Sequence, residues 1–209
     1  GLRQEFLASS RLDNLSSVHA GLVALENLAG TETDAAVFVA FDHEEVGSGT
    51  RSGAGGPFLQ DVLHGLAAVM GFVDDGERAL LARSSCISAD AGHSVHPNYG
   101  QLHDPQVRPL INHGPLLKIN ARQRYATDAV GGAIWKRACK AAGVPTQDFV
   151  SNNSVPCGTT IGPITASRLG ITTVDVGIAL LSMHSAREMC GVEDGPYLAR
   201  ALHAYWAEN

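Results

Sequence analysis

The chain has 209 residues, 44% of them hydrophobic and 17% charged, which is the composition of one sizeable globular domain and rules out a disordered or low-complexity segment. Fifteen Lys and Arg against 21 Asp and Glu give a net charge of −6, and without a basic stripe carrying interleaved aromatics no nucleic-acid partner is expected. The longest apolar stretches fall well short of the roughly 20 residues that span a bilayer, so no membrane partner is expected either.

Taken in chain order, Leu15, Val18, Leu22, Leu25 and Leu28 recur at helical spacing with Gly30 as a stop, which predicts a helix with Asp13 on the turn that enters it. The run Ala35 to Phe41 (AAVFVAF) is short, continuous and apolar, the mark of a strand buried on both faces. It ends at Asp42, His43, Glu44 and Glu45. Gly47 to Gly56 reads as a loop, and Pro57 opens a helix over Phe58 to Met70. A short helix near Gly76 to Arg83 precedes a strand, Cys86 to Ala89, that ends at Asp90.

A polar loop from His93 to Asp104 leads to a strand at Leu116 to Asn120 and a helix at Asp128 to Ala142, closed by Gly143. Strands at Phe149 to Ser151 and Thr172 to Val176, a helix from about Thr159 to Leu169 between them, and a closing helix at Pro196 to Ala207 complete the pattern. Strands alternating with helices predict an α/β architecture, a three-layer α/β/α sandwich around a mainly buried mixed sheet, with residues 1–209 as one unit. Cysteines at 86, 139, 157 and 190 form no CxxC pair or zinc-finger spacing. They read as small core residues in a reducing, cytoplasmic setting.

In open α/β sheets, sites gather beyond the carboxyl ends of the strands. Asp13, Glu44, Glu45, Asp90 and His184 all fall at such ends. Taken singly, Asp13 is an ordinary helix cap, Glu44-Glu45 a solvated acidic pair and His184 a satisfied histidine. Four carboxylates gathered in one cleft would instead repel unless protonated or neutralised by cations. Carboxylate oxygens with an imidazole nitrogen suit Zn²⁺ or Mn²⁺, and one bridging carboxylate can hold two ions about 3.5–4 Å apart. The glycine-rich loop lacks the GxxxxGK[ST] lysine, so phosphate binding is not expected there.

Six strings carry a resemblance: SSRLDNL (9–15), FDHEEVGS (41–48), SADAGHSVHPNY (88–99), INHGPLLKINARQRYATD (111–128), VPCGTTIGPITASRLG (155–170) and SMHSAREMCG (182–191). Together, and in order through nearly the whole chain, they resemble the aspartyl aminopeptidase family, self-compartmentalised two-zinc aminopeptidases. The resemblance implies a zinc-peptidase fold and a metallo-aminopeptidase that removes N-terminal Asp or Glu from peptides. By it, Asp13 resembles the aspartate bridging two metals, Glu44 the general base, Glu45 and Asp90 ligands of opposite metals, and His184 the histidine on the second metal.

His93, His96, Lys118, Tyr125, Gly158 and Thr159 match the substrate side, with Lys118 the partner for an acidic substrate side chain. Two Zn per full-length subunit are implied, with Mn or Co as alternatives, and so is a large homo-oligomer. One departure stands out. The family's other metal takes a histidine from an N-terminal His-x-Asp-Ser-Pro type motif, which this sequence lacks, and an inserted dimerisation domain precedes RLDN. The expectation is therefore the C-terminal part of a catalytic domain in a chain about twice as long. The rivals are a two-zinc aminopeptidase of neutral preference and a catalytically silent assembly or cargo subunit; five convergent ionisable groups argue against the second.

Overall fold

The computed structural model describes residues 1–30 and 34–207. Along the chain the elements are β1 (Phe6–Ser9), α1 (Leu12–Glu26), α2 (Phe58–Val69), α3 (Asp75–Arg83), β2 (Ser85–Ala89), β3 (Gly92–His93), β4 (Leu116–Lys118), α4 (Ala129–Ala141), β5 (Gln147–Phe149), α5 (Gly162–Leu169), β6 (Thr172–Gly177), β7 (Ala179–Leu180), β8 (Glu188–Gly191) and α6 (Asp194–Ala207). The central sheet has the order β2-β6-β4-β5. β2 lies parallel to β6 and β4 parallel to β5, while β4 and β6 run antiparallel, so the sheet is mixed, as expected.

The alternation along β6 sorts the layers. Val174 and Val176 join one apolar cluster with Trp135 of α4 and Leu198, Ala201 and Leu202 of α6. Asp175 points the other way, where it accepts from Ser88 Oγ at 2.7 Å and Thr160 Oγ1 at 2.6 Å. A Cβ on Gly162 of α5 would collide with its carboxylate, so helices cover both faces.

The β2–β6 ladder does not end at β2. After a break it continues as β3 beside β7, with Asp90 N–H donating to Val176 O, Gly92 N–H to Ile178 O and Ser94 N–H to Leu180 O. The break lies where the Asp90 carbonyl presses on Gly177, a position at which a Cβ would stand 1.6 Å from that oxygen. Only glycine fits so close a backbone approach.

One expectation fails. Ala35 to Phe41 joins no ladder among the described residues, and it is half-buried or exposed instead of buried on both faces. An apolar run becomes a buried strand only where neighbouring strands and covering helices take up its N–H groups and side chains; here Phe38 packs against Gly21 of α1, and among the described residues no strand pairs with the run. The expected helix is present as α1, which buries Ser17, Ala20, Gly21 and Ala24 and leaves Leu15 and Leu22 59% and 44% exposed. The small-residue face permits the close approach of α6, so steric fit overrides the leucine spacing. β1 and β8, an antiparallel pair, carry too few residues for a periodic signal. The expected strand at Phe149 to Ser151 lies two residues early, as β5.

Candidate metal centre

Asp13 sits at the irregular opening of α1, where it and Asn14 depart from helical geometry after Arg11 in a left-handed conformation. Asn14 Nδ2 donates to Ala89 O at 2.8 Å, which pins this opening to the end of β2, next to Asp90. Glu44 and Glu45 occupy a single 3₁₀ turn, Glu44–Val46, entered through His43 (φ 64) and left through Gly47 (φ 96). Left-handed residues on both sides make the turn sharp, so the two adjacent carboxylates part: Glu44 is half-buried and Glu45 exposed. His184 (φ 66) lies in the tight link from β7 to β8, with Ser185 N–H donating to Ser182 O.

These segments converge. His184 Nε2 stands 3.1 Å from Asp13 Oδ2 and 3.1 Å from Glu45 Oε2, and one donor atom from each of Asp13, Glu45 and His184 lies within 4.8 Å of the others. Asp13 is the enclosed member, its side chain 6% exposed. Burial first, then the charges of Asp90 and Glu45, push its carboxyl up to about 7 against the pull of His184. Glu44 is raised as well, by burial, Asp90 and Glu45, with Lys118 and His184 opposing. Carboxylates crowded closely enough to raise the pKa of Asp13 and Glu44 leave the cluster short of positive charge. Its donor set of carboxylate oxygens and imidazole nitrogen fits a hard or borderline divalent cation such as Zn²⁺.

Asp90 borders this group and is held by Lys118, whose Nζ lies 3.3 Å from Asp90 Oδ2 and 2.8 Å from Ala91 O. Lys118 is 2% exposed and lies over the ring of Tyr125, 5.4 Å from its centroid. The ammonium expected to meet a substrate is thus bonded within the fold. Tyr125 is buried too, edge-on to Phe149, and burial raises its hydroxyl pKa.

The remaining substrate-side residues lie nearer the surface. His93 ends β3 as an exposed residue, yet desolvation on its protein side, then the charges of Lys118 and His184, lower its pKa. His96 stacks at 5.0 Å on Tyr99 and accepts from Asn98 N–H. Gly158 and Thr159 are exposed and tied to one residue: Arg124 Nε donates to Gly158 O, and Thr159 Oγ1 donates to Arg124 O. The cysteines are all free, and burial pushes Cys86 and Cys139 up to about 12 and Cys190 to about 11. Cys139 and Cys190 lie in the core and Cys86 is partly buried on β2, and raised pKa values make all three poor nucleophiles.

Sequence reasoning missed Glu188. Only 2% exposed, it accepts from Asp13 N–H at 2.9 Å and from His184 N–H at 2.7 Å. Its one signal in the sequence is an acid opening an otherwise apolar strand, EMCG.

The sequence matches the family described as Aminopeptidase I zinc metalloprotease (M18) over residues 1–206. A probable M18 family aminopeptidase 2 of Streptomyces coelicolor is 54% identical over 209 residues, covering 98% of this chain and 48% of that protein. The chain thus spans about half the length of such relatives. Among solved structures, a dodecamer of S. cerevisiae mApe1 is 31% identical with a TM-score of 0.86, matched over 100% of this chain and 48% of its own. An M18 family aminopeptidase from Thermotoga maritima is 25% identical with a TM-score of 0.91, over 100% of this chain and 48% of its own.

Proposed function

Because the chain belongs to the aminopeptidase I zinc metalloprotease family (M18), we propose that it forms the C-terminal part of the catalytic domain of an enzyme that removes N-terminal acidic residues from peptides. The observation that carries this reading is the meeting of Asp13, Glu45 and His184 donor atoms within 4.8 Å, with Glu44 and Asp90 alongside. In it two zinc ions would be held, Asp13 between them, Glu45 and Asp90 on opposite ions and His184 on the second. Bound divalent cations supply Lewis acidity toward the scissile carbonyl and the attacking water.

The chain's own residues do the rest. Glu44 takes a proton from the attacking water and passes it to the leaving amine nitrogen, the general acid–base work that one positioned carboxylate performs. It is half-buried and adjoins Glu45 in the chain. His93, His96, Gly158 and Thr159 supply surface polar groups along which a peptide lies. Four free cysteines fit a reducing, cytoplasmic setting, and among the described residues no helix is long and apolar enough to cross a membrane. A homo-oligomer follows the dodecamer of the yeast relative.

A second reading, neutral preference, is favoured by one observation: the Lys118 ammonium is bonded to Asp90 and Ala91 O, so it has to leave those partners to pair with a substrate carboxylate. A panel of Asp-, Glu- and Leu-initiated peptides decides between the two. In the full-length enzyme, Glu44→Gln is expected to keep metal at wild-type stoichiometry and lower turnover by about 10² or more, the usual scale for general-base loss. Glu45→Gln is expected to lose metal. The reverse pattern in metal analysis exchanges the two roles.

A further inference from the structure

Resting on the reading of Asp13 and His184 as ligands, we infer that Glu188 is a positioning residue that locks these two into one preformed pair. Asp13 and His184 are 171 residues apart, and each offers its own backbone N–H to a different oxygen of the same carboxylate: Asp13 to Oε2 at 2.9 Å, His184 to Oε1 at 2.7 Å. The side chains of the same two residues meet at the other end, with Nε2 3.1 Å from Oδ2. The three residues close a loop in which a backbone carboxylate bridge and a side-chain contact fix the same pair twice.

The placement follows from the strands. Glu188 opens β8 and pairs with Ser9, the last residue of β1, four residues before Asp13. Met189 bridges to Leu181, three residues before His184. One residue at this corner reaches both ligand-bearing segments, and neither segment contacts the other through regular backbone pairing. Each needs holding. His184 has φ 66 and Arg11, leading into Asp13, has φ 60, left-handed conformations that a residue with a side chain keeps only when its surroundings impose them.

Only a carboxylate suits the position. It is an acceptor at both oxygens and offers no donor, so it meets two convergent N–H groups without conflict. At 2% exposure an unpartnered carboxylate is costly, and two charge-assisted bonds to amides offset that cost. Glutamine at 188 satisfies one amide and turns its own N–H toward the other.

The test uses the full-length protein, with zinc as the probe. Zinc affinity is measured by competition with a chromophoric chelator, well below the thermal midpoint, for the wild type, Glu188→Gln and Glu188→Asp; amide exchange of Asp13 and His184 is measured in the metal-free proteins. Affinity at one site is expected to fall 10- to 100-fold in Glu188→Gln, the scale of losing a partner that orients a ligand, and one of the two amides is expected to become fast-exchanging. A residue that merely braced the β1–β8 corner would lower the midpoint and leave the affinity of the folded protein unchanged. If Glu188→Gln does not fold, Glu188→Asp, which keeps both acceptors on a shorter arm, is expected to show the same loss in smaller degree. Wild-type affinity in either folded variant, or two amides that stay protected, overturns the inference and leaves the metal centre standing. A wild-type protein that binds no zinc overturns the metal centre instead, and amide exchange then decides the carboxylate bridge by itself.

Discussion

Residues 34–83 and residues 85–207 are built from similar sequence and end in opposite conditions. The first stretch holds an apolar run and an amphipathic helix, yet of its residues only Ser48, Gly53, Ala54 and Ala67 are buried. The second places Trp135, Val174, Val176, Ile178, Leu180 and Leu198 in one cluster, each 2% exposed or less. The candidate centre straddles this divide. Asp90, Lys118, His184 and Glu188 come from the packed part, with Asp13 tied into it by Glu188 and by Asn14, whereas Glu44 and Glu45 ride on the lightly packed part. Ties from there to the packed part include Glu45 to His184, and Arg168 donating to Gly55 O and Gln60 Oε1. Half of the centre is therefore held by the core before any cation binds, and half is placed by a segment whose own apolar surface is mostly uncovered.

The comparison can be broken first where it predicts the largest effect. Trp135 is fully buried and its Nε1 donates to Thr146 Oγ1 at 3.2 Å. Trp135→Ala opens a cavity in the packed part and is expected to cost about 3–5 kcal/mol. That lowers the thermal midpoint by on the order of 10 °C for a chain of this size. A drop of only a degree or two in a melting experiment would show the packed part to be looser than its burial indicates.

Most of the fold's elements were legible because their signals are local. The α4 helix runs over Ala129–Ala141 with Asp128 as its cap, accepting from Gly131 N–H, close to the expected 128–142. Asp13 and His184 follow strands, β1 and β7, as their places in the chain suggested, whereas Glu45 reaches them from a 3₁₀ turn that no paired strand precedes. What the sequence could not show is tertiary. The Ala35 to Phe41 pattern specifies a surface that wants covering and says nothing about what covers it. Lys118, read as a substrate partner, is instead bonded to Asp90, since the direction of a side chain on a three-residue strand depends on the register of its neighbours. Glu188 gave only the faint signal of an acid opening an apolar strand, because its task, receiving two backbone amides from distant segments, leaves no spacing to read.

A pH experiment sharpens the contrast at the next level of magnitude. Asp194 opens α6 with no exposure at all and accepts from the N–H groups of Asn112, Gly114 and Gly191. Burial outweighs those three donors and pushes its carboxyl up to about 6 from 3.8. The folded chain then holds a proton between those values that the unfolded chain has released, so this group's contribution to stability is complete below about 3.8 and is lost as pH rises through 6. The unfolding free energy of the wild type minus that of Asp194→Asn is expected to decline from pH 4 to pH 7, by at most about 1.4 kcal/mol per unit. A difference that rises with pH in denaturant titrations would mean that the amide donors win over burial, and that packing in this part costs the buried charge less than its enclosure suggests.

The smallest expected effect tests the other side of the divide. On α2, Phe58, Val62, Leu66 and Val69 follow one another at helical spacing and are 51%, 46%, 36% and 87% exposed, one face of the helix turned to solvent. A face of this kind on a soluble domain marks a surface that meets something, or it is a liability. With nothing upon it, Val69→Ser removes no buried contact, and since the two residues have similar helix propensity the change is expected to stay within about 0.5 kcal/mol in chemical denaturation. The experiment is most telling in its failure. A cost above about 1 kcal/mol, especially one that grows with protein concentration, requires that Val69 be covered in solution. In that case residues 34–83 are packed in the working protein after all, and Glu44 and Glu45 are fixed as firmly as their partners across the centre.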